Sequence, residues 1–548
     1  MKALGQKEHP NTKVRRKLES NLLFLCLALM AIGLTLSPFV MGASQFLIMG
    51  VWLFTGDPVK TKFQRFFDNK IALAIVAIYL LHVIGLIYTS DFQYAFKDLK
   101  VKLPMLILPL VLSSVQPLKK KLFDLLMLIY VLAVFVATCI SFGYYLKNDY
   151  GDIREISHFI SHIRFCLNIV LAMAIVGYYI VERRISKGKI VPAFGLKTAL
   201  NQYLMWFLLF WFAYQIYIFQ SLSGYLAFAG MVAATLLYLF FAKVRNKTWR
   251  IVVLAAIIAL PTIAGICLYR TVAPMLAKPQ VDFAKLEKQT ALGNDYWHDT
   301  VCFPAENGRY VGLYFCRPEM QEAWNQRSKL DYDGKTLNGE NLEATLARYL
   351  TSKDLRKDAA GVAALDEQDI HNVEQGVANY VNWCHPGLYS RLSETAFEYN
   401  QYRFYHNPNG GSLSQRIEYT KTSFYLIKQH PVFGVGTGDI PNAYQQAYDE
   451  LDSPLEPQYR YKAHNQYLSI TVGLGLIGLL VFLFSLLTPY FASKRNRNYL
   501  YTVFMVILLL SMLPEDTIES QAGVMWFAFF NSLFIFALGN KEEDLQKQ

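Results

Sequence analysis

Apolar residues along the chain fall into twelve stretches, roughly at 20–40, 43–55, 70–88, 103–114, 121–145, 164–181, 200–219, 224–241, 251–269, 466–490, 499–513 and 522–539. A helix that crosses a bilayer needs about 20 such residues. Most stretches approach or exceed that length. The stretches at 43–55, 103–114 and 499–513 fall short, and each reads as a tilted span extended by its flanks or as a re-entrant segment. The pattern predicts an all-α polytopic membrane protein with about 12 transmembrane helices. It divides the chain into spans one to nine over 1–269, a polar segment over 270–463, spans ten to twelve over 464–540, and a short tail over 541–548.

The polar segment is long enough for a core of its own, and its periodicity is helical. Leu342, Leu346 and Leu350 recur every four residues after Asn338, which is placed to cap a helix. A second helix is expected from about Asp369 and a third from Leu388 to Tyr402. Asn407-Pro408-Asn409-Gly410-Gly411 is a turn cluster. A further helix then runs to about Gln429 and stops before Pro431, and Gly434 to Asp439 reads as a flexible loop.

Composition agrees with this division. The chain is 53% hydrophobic and 17% charged, against about a quarter charged for a soluble domain, and its mean hydropathy is +0.23. A disordered chain, a collagen-like fibre and a disulfide-dense module are excluded. The formal charge of +11 is unevenly spread. Basic residues crowd the first twenty positions and alternate connections thereafter (Lys60 to Lys70, Lys119 to Lys121, Arg183 to Lys197, Lys243 to Arg250, Lys494 to Arg497). The polar segment instead holds 25 acidic residues against 20 basic ones. The positive-inside rule therefore expects both termini in the cytoplasm and the polar segment on the opposite face. The apolar run from Asn21 to Met41 is too long for a signal-peptide core and is expected to remain as the first span. The charge reports orientation, and no nucleic-acid partner is expected.

Of seven cysteines, Cys302, Cys316 and Cys384 lie in the polar segment, where Cys302–Cys316 is the most local disulfide available. No Cys-x-x-Cys pair accompanies them. His158 and His162 have helical i, i+4 spacing but no evident third ligand, so no metal site is expected. No cofactor is expected either. The glycine loop lacks the lysine and helix context of a nucleotide-binding loop.

The most informative stretch holds Arg416, then His430-Pro431-Val432-Phe433-Gly434-Val435-Gly436-Thr437-Gly438. His464-Asn465-Gln466-Tyr467-Leu468 follows, and then Gly473-Leu474-Gly475-Leu476-Ile477-Gly478 inside a span. These motifs, together with the span pattern and one large loop before the tenth span, resemble the O-antigen ligase family, the Wzy-C superfamily. Tyr332-Asp333-Gly334-Lys335, Leu350-Thr351-Ser352-Lys353 and Glu515-Asp516-Thr517-Ile518-Glu519-Ser520-Gln521 resemble a Bacteroidetes-type subgroup.

The resemblance implies a GT-C-like membrane glycosyltransferase in a bacterial inner membrane, with its large loop in the periplasm. Such an enzyme moves a glycan from polyprenyl (undecaprenyl) pyrophosphate to an acceptor hydroxyl, by an inverting and metal-independent route. Ligation of O-antigen to lipid A-core is the first reading. O-antigen polymerase and protein O-oligosaccharyltransferase are the alternatives within the superfamily. By motif match His464 and Arg416 are the expected catalytic pair. Arg164 and His162, at the start of the sixth span, are expected on the donor side. Asn465 follows the key histidine. Ser221 and Ser223 flank Leu222, where relatives often have an arginine, so a substitute cation is sought among Lys97, Lys100 and Lys102. Glu515 and Glu519 are expected to brace the arginines or hold the acceptor sugar. The expected partners are the lipid-linked glycan, the acceptor and membrane lipids.

From another class, a polyprenyl-lipid transporter or flippase would show internal repeats and ionisable residues near mid-membrane. No convincing repeat is found, and the ionisable groups cluster at one boundary instead.

Overall fold

The computed structural model describes residues 10–147, 153–185, 198–243, 246–300, 305–385, 387–492 and 498–537. Each of the twelve apolar stretches is helical over most of its described residues. In chain order the helices are α1 (Pro10–Leu36), α2 (Pro38–Phe54), α3 (Val59–Asp68), α4 (Lys70–Ile84), α5 (Phe92–Lys102), α6 (Pro104–Ser114), α7 (Lys120–Lys147), α8 (His162–Ile185), α9 (Thr198–Phe219), α10 (Leu222–Tyr238) and α11 (Lys247–Leu276). A two-stranded hairpin follows, β1 (Ala305–Glu306) and β2 (Arg309–Tyr310). Then come α12 (Arg317–Arg327), α13 (Leu342–Ser352), α14 (Ala359–Ala363), α15 (Glu367–Glu374), α16 (Tyr380–Cys384), α17 (Leu388–Tyr405), α18 (Ser412–Gln429), α19 (Ile440–Glu450), α20 (Gln466–Ala492), α21 (Tyr499–Ser511) and α22 (Gln521–Phe536). The protein is a multi-pass, all-α membrane protein.

Among the described residues seven helices are long and apolar enough to cross a bilayer alone: α1, α7, α8, α9, α10, α11 and α20. The short stretches divide. α2 and α3 form a pair bent by 112°. α6 has 11 residues, only about 16 Å of helix, and a single residue, Leu103, separates it from α5. α21 and α22 are short and largely interior. Trp526, Phe527, Phe529, Phe530 and Phe534 of α22 are buried all round the helix, as expected of a helix surrounded by protein rather than lipid.

By packing the chain forms two compact units. The first holds Met1–Ile257, Tyr419–Leu451 and Arg460–Gln548, and the second Ile258–Glu418 and Asp452–Tyr459. The segment read as one polar domain, 270–463, is thus shared between them.

In the first unit α4 packs along α20, α1 against α2 and α7, and α10 and α8 against α21. α20 is not the continuous span its hydropathy suggests. At Gly475 the backbone takes φ +70° and ψ −174°, a region open essentially to glycine. The break lies about 14 Å along the helix from its start. The segment after Pro431 repairs it. Val435 N–H donates to Val472 O and Gly436 N–H to Gly473 O, each at 2.9 Å, while Leu476 N–H donates to Pro431 O at 2.9 Å. Unpaired backbone groups at membrane depth are costly, and irregular backbone survives there where protein covers it. The expected flexible loop is therefore a fixed plug. Gly438 N–H donates to Thr89 Oγ1 at 2.7 Å, and Asp439 accepts from the N–H groups of Ser90 and Asp91. Its glycines serve close approach. A Cβ at Gly434 would lie 2.4 Å from Gly473 C.

The basic residues assigned to the first connection are partly paired. Lys62 is fully buried against Glu19 at 2.5 Å, and Asp57 takes both Arg16 and Arg65 at 2.7 Å. The basic positions at 187–197 and 494–497, and the tail 541–548, lie outside the described residues.

The second unit has a separate core around Trp324, Tyr332, Leu342, Leu346, Tyr349 and Leu350. α13 begins where the leucine periodicity puts it, but its cap is Asn341, whose Oδ1 accepts from Ala344 N–H at 2.8 Å, not Asn338. α15 opens with a capping box of Asp366 and Asp369. Cys316 is buried and unbridged among the described residues, and its expected partner Cys302 lies outside them.

Candidate functional site

Four segments of the first unit meet around His464: the turn into α20, the connection between α21 and α22 (512–520), the first turn of α8, and α18 at Tyr419. His464 has φ +48°, a left-handed conformation that few non-glycine residues adopt. The next residues hold it there. Asn465 caps α20 by accepting from Leu468 N–H at 3.1 Å, and its Nδ2 donates to Leu513 O at 2.8 Å. Gln466 N–H donates to Met512 O at 3.0 Å. Gln466 is fully buried, and its Oε1 accepts from Ile518 N–H at 2.8 Å. Sewn down on both sides, the turn fixes the imidazole.

The ring of His464 stacks on Tyr419 at 5.6 Å between centroids and meets the edge of Tyr461 at 6.2 Å. Its side chain is 38% exposed, and Nδ1 lies 3.8 Å from Oε2 of buried Glu515. That is an electrostatic contact, longer than a hydrogen bond. The same Oε2 is 3.4 Å from Arg164 Nη1, and Arg164 Nη2 donates to Asp516 O at 2.9 Å. One carboxylate thus stands between a fixed guanidinium and the imidazole. Asn168 ties the arginine's own backbone, donating to Arg164 O at 2.8 Å, and Tyr130 donates to Asn168 Oδ1 at 2.8 Å.

The other acids of this connection have partners within the protein. Ser469 donates to Asp516 Oδ1 at 2.6 Å. Burial, and then the charge of Glu519, push the Asp516 carboxyl above the ordinary carboxylate range. Glu519 accepts from Lys102 at 2.8 Å and from Gln466 Nε2 at 3.1 Å. Burial alone would raise its pKa, but Lys102 and Lys462 outweigh that and hold it below the ordinary range. Lys102, 1% exposed, also meets Asp98 at 2.5 Å. It is therefore committed to acids and is not the cation sought to replace the one missing at Leu222.

The pair supports a prediction. Lys102→Met leaves buried carboxylates unpaired and is expected to destabilise by about 3–5 kcal/mol, whereas Lys102→Met with Glu519→Gln recovers part of the loss, read as thermal midpoints in detergent. The sign with pH follows from the lowered Glu519. Its contribution is present above the unfolded pKa, about 4.3, and is lost as pH falls toward the folded value. Glu519→Gln should therefore flatten the acid limb of the stability profile.

The remaining expected residues have the following surroundings. Lys100 and Lys97 are exposed on α5 beside exposed Phe92 and Phe96, as on a helix lying at a membrane surface. His162 is half-buried with its ring 5.3 Å from Phe219. Ser221 caps α10, accepting from Gly224 N–H at 3.2 Å, and Ser223 is buried. Arg416 belongs to the second unit, where its Nη1 donates to Ser412 Oγ at 3.3 Å. Among the described residues no group of three or more His, Cys, Asp or Glu side chains could hold a metal ion. Sequence reading missed Tyr419 and the Lys102–Glu519 pair. Tyr419 is one helical turn beyond Arg416, which is a signal. The pair joins residues 417 positions apart, which is none.

The segment from α16 into α20 carries Arg416, the plug, the break and His464. Residues 377–483 match the O-antigen ligase family, Wzy_C. No curated protein matches the chain. This segment is thus similar to the O-antigen ligases, as the histidine and glycine motifs implied. The matched segment includes both expected catalytic residues and the backbone repair at the break in α20. Arg164 and Glu515 lie outside the matched residues, and the fold brings them to His464.

Proposed function

We propose that the protein is a membrane glycosyltransferase that moves a glycan from a polyprenyl pyrophosphate to an acceptor hydroxyl on the periplasmic side, with lipid A-core as the acceptor. The observation that carries this reading is His464, held in a strained turn with Glu515 between it and Arg164, inside a segment that matches the O-antigen ligases.

The chemistry follows from these groups. The acceptor oxygen attacks the anomeric carbon, its proton passes to His464 Nε2, and the carbon–oxygen bond to pyrophosphate breaks with its electron pair leaving on the phosphate. Glu515 faces Nδ1 and offsets the imidazolium that forms. Catalytic contacts of this kind often shorten only when substrate is bound. Arg164, and Arg416 by motif match, offset charge on the departing pyrophosphate, for which a planar guanidinium suits bidentate contact. Direct displacement inverts the anomeric centre and calls for no metal.

The test is reconstitution. Purified full-length protein in liposomes with lipid-linked glycan and lipid A-core should release free polyprenyl pyrophosphate and glycan-extended acceptor in equal amounts. Movement of the lipid-linked glycan across the bilayer without product would overturn the reading in favour of transport. Product formed only on a second glycan or on a protein would overturn the choice of acceptor.

A further inference from the structure

The second unit contains a polar cavity of about 220 Å³ bordered by Glu306, Asn307, Arg309, Arg348, Asn379 and Tyr389. The β1–β2 hairpin builds one wall. Glu306 pairs with Arg309 across a two-residue turn, and Asn307 and Gly308 have φ of +50° and +75°. Asn-Gly is the preferred sequence for such a turn. The tip is anchored by Ser393, which donates to Asn307 Oδ1 at 2.9 Å. The Nδ2 of Asn307 is buried and finds no acceptor among the described residues. Such a donor is costly to leave unmade.

The charges in the cavity are already balanced. Arg348 grips Glu306 with two hydrogen bonds, at 2.8 and 3.0 Å, and Asn379 Nδ2 donates to the same carboxylate at 2.7 Å. Arg309 pairs with Asp354 at 3.0 Å. A phosphate or other anion would meet the buried Glu306, and among the described residues lining the cavity both cations are already paired with acids. A neutral ligand that both donates and accepts is suited. Its hydroxyls can donate to the carboxylate and accept from Asn307, while an apolar ring face lies on Tyr389. The volume suits a single sugar ring. Placed polar groups converging in a preformed hollow are the usual marks of a small-ligand site.

We propose that this cavity is a saccharide-binding subsite, distinct from the His464 centre, that holds one sugar unit of the glycan substrate. Six of the residues at or beside it (Glu306, Asn307, Arg309, Arg348, Thr351 and Ser352) precede the segment matched to the O-antigen ligases, so the subsite would set which glycan is accepted. The identity of the ligand rests on the glycosyltransferase reading. The binding itself does not.

The test uses the full chain in lipid nanodiscs and, as probe, the repeating unit of the host cell's own surface polysaccharide, freed of lipid and pyrophosphate by mild acid. Binding is read by saturation-transfer NMR. Wild type is expected to bind. Asn307→Gly, which keeps the left-handed turn but gives up the Ser393 anchor, and Tyr389→Ala should each weaken binding at least tenfold, the latter with an unchanged thermal midpoint, and His464→Ala should leave binding unchanged. No saturation of the sugar by wild type at millimolar concentration would overturn the proposal, as would wild-type affinity in both cavity variants or loss of binding in His464→Ala. Binding lost in the cavity variants of a chain that performs no glycan transfer would support the subsite while rejecting the enzyme.

Discussion

Gly475→Ala is expected to abolish accumulation of folded protein in the membrane. The residue sits at φ +70° and ψ −174°, where any side chain is strained, and its Cβ would lie 2.0 Å from Val432 O. That oxygen belongs to the backbone of the plug, so it cannot swing away. Moving it loosens the bonds that Leu476 and Ile477 donate to Pro431 and Val432. Strain and lost hydrogen bonds together amount to about 4–5 kcal/mol, a large share of the stability of a domain. The check is the yield of monodisperse protein in detergent, with Gly50→Ala as control. A Cβ at Gly50 meets nothing within 4 Å, and that variant should behave as wild type.

The second large effect falls on Arg164. Arg164→Ala removes the cation beside Glu515 and is expected to lower glycan transfer by about 10²–10³-fold, the usual cost of removing one preorganised electrostatic contact. The variant also leaves the buried Glu515 carboxylate without its guanidinium, so a lower thermal midpoint is expected beside the loss of transfer. Arg164→Lys should recover little, since a single ammonium cannot meet Glu515 and Asp516 O together while also facing a phosphate. Transfer rates per folded molecule, normalised by gel filtration, separate this from a folding defect.

These two residues mark what the sequence made legible and what it hid. The apolar stretches became helices because a run of that length has no other stable form in a bilayer. The helices at Leu342, Asp369, Leu388 and Ser412 followed from local periodicity and turn chemistry in the same way. The break at Gly475 was hidden because Gly473-Leu474-Gly475-Leu476 reads as uninterrupted hydropathy, and its repair comes from a segment some forty residues earlier. Glu515 and Glu519 were singled out as acids near the arginines, but the burial of their connection was not legible. Here Lys102, Gln466, Ser469 and Arg164 bury it, and each of those partners is distant in sequence. Asn307-Gly308 did carry a hairpin signal, which the helical tone of the polar segment masked. His464 and Arg416 were visible through their motifs. The neighbours that orient His464, namely Tyr419, Glu515 and the cap at Asn465, required the fold.

The account turns on His464 as the group that takes the acceptor's proton. The direct measurement is the initial rate of glycan transfer in liposomes containing lipid-linked donor and acceptor, for wild type and for His464→Ala at matched amounts of folded protein. The account predicts a loss of about 10²–10⁴-fold, the range of a general base, with an unchanged thermal midpoint. Transfer by His464→Ala at the wild-type rate would contradict it.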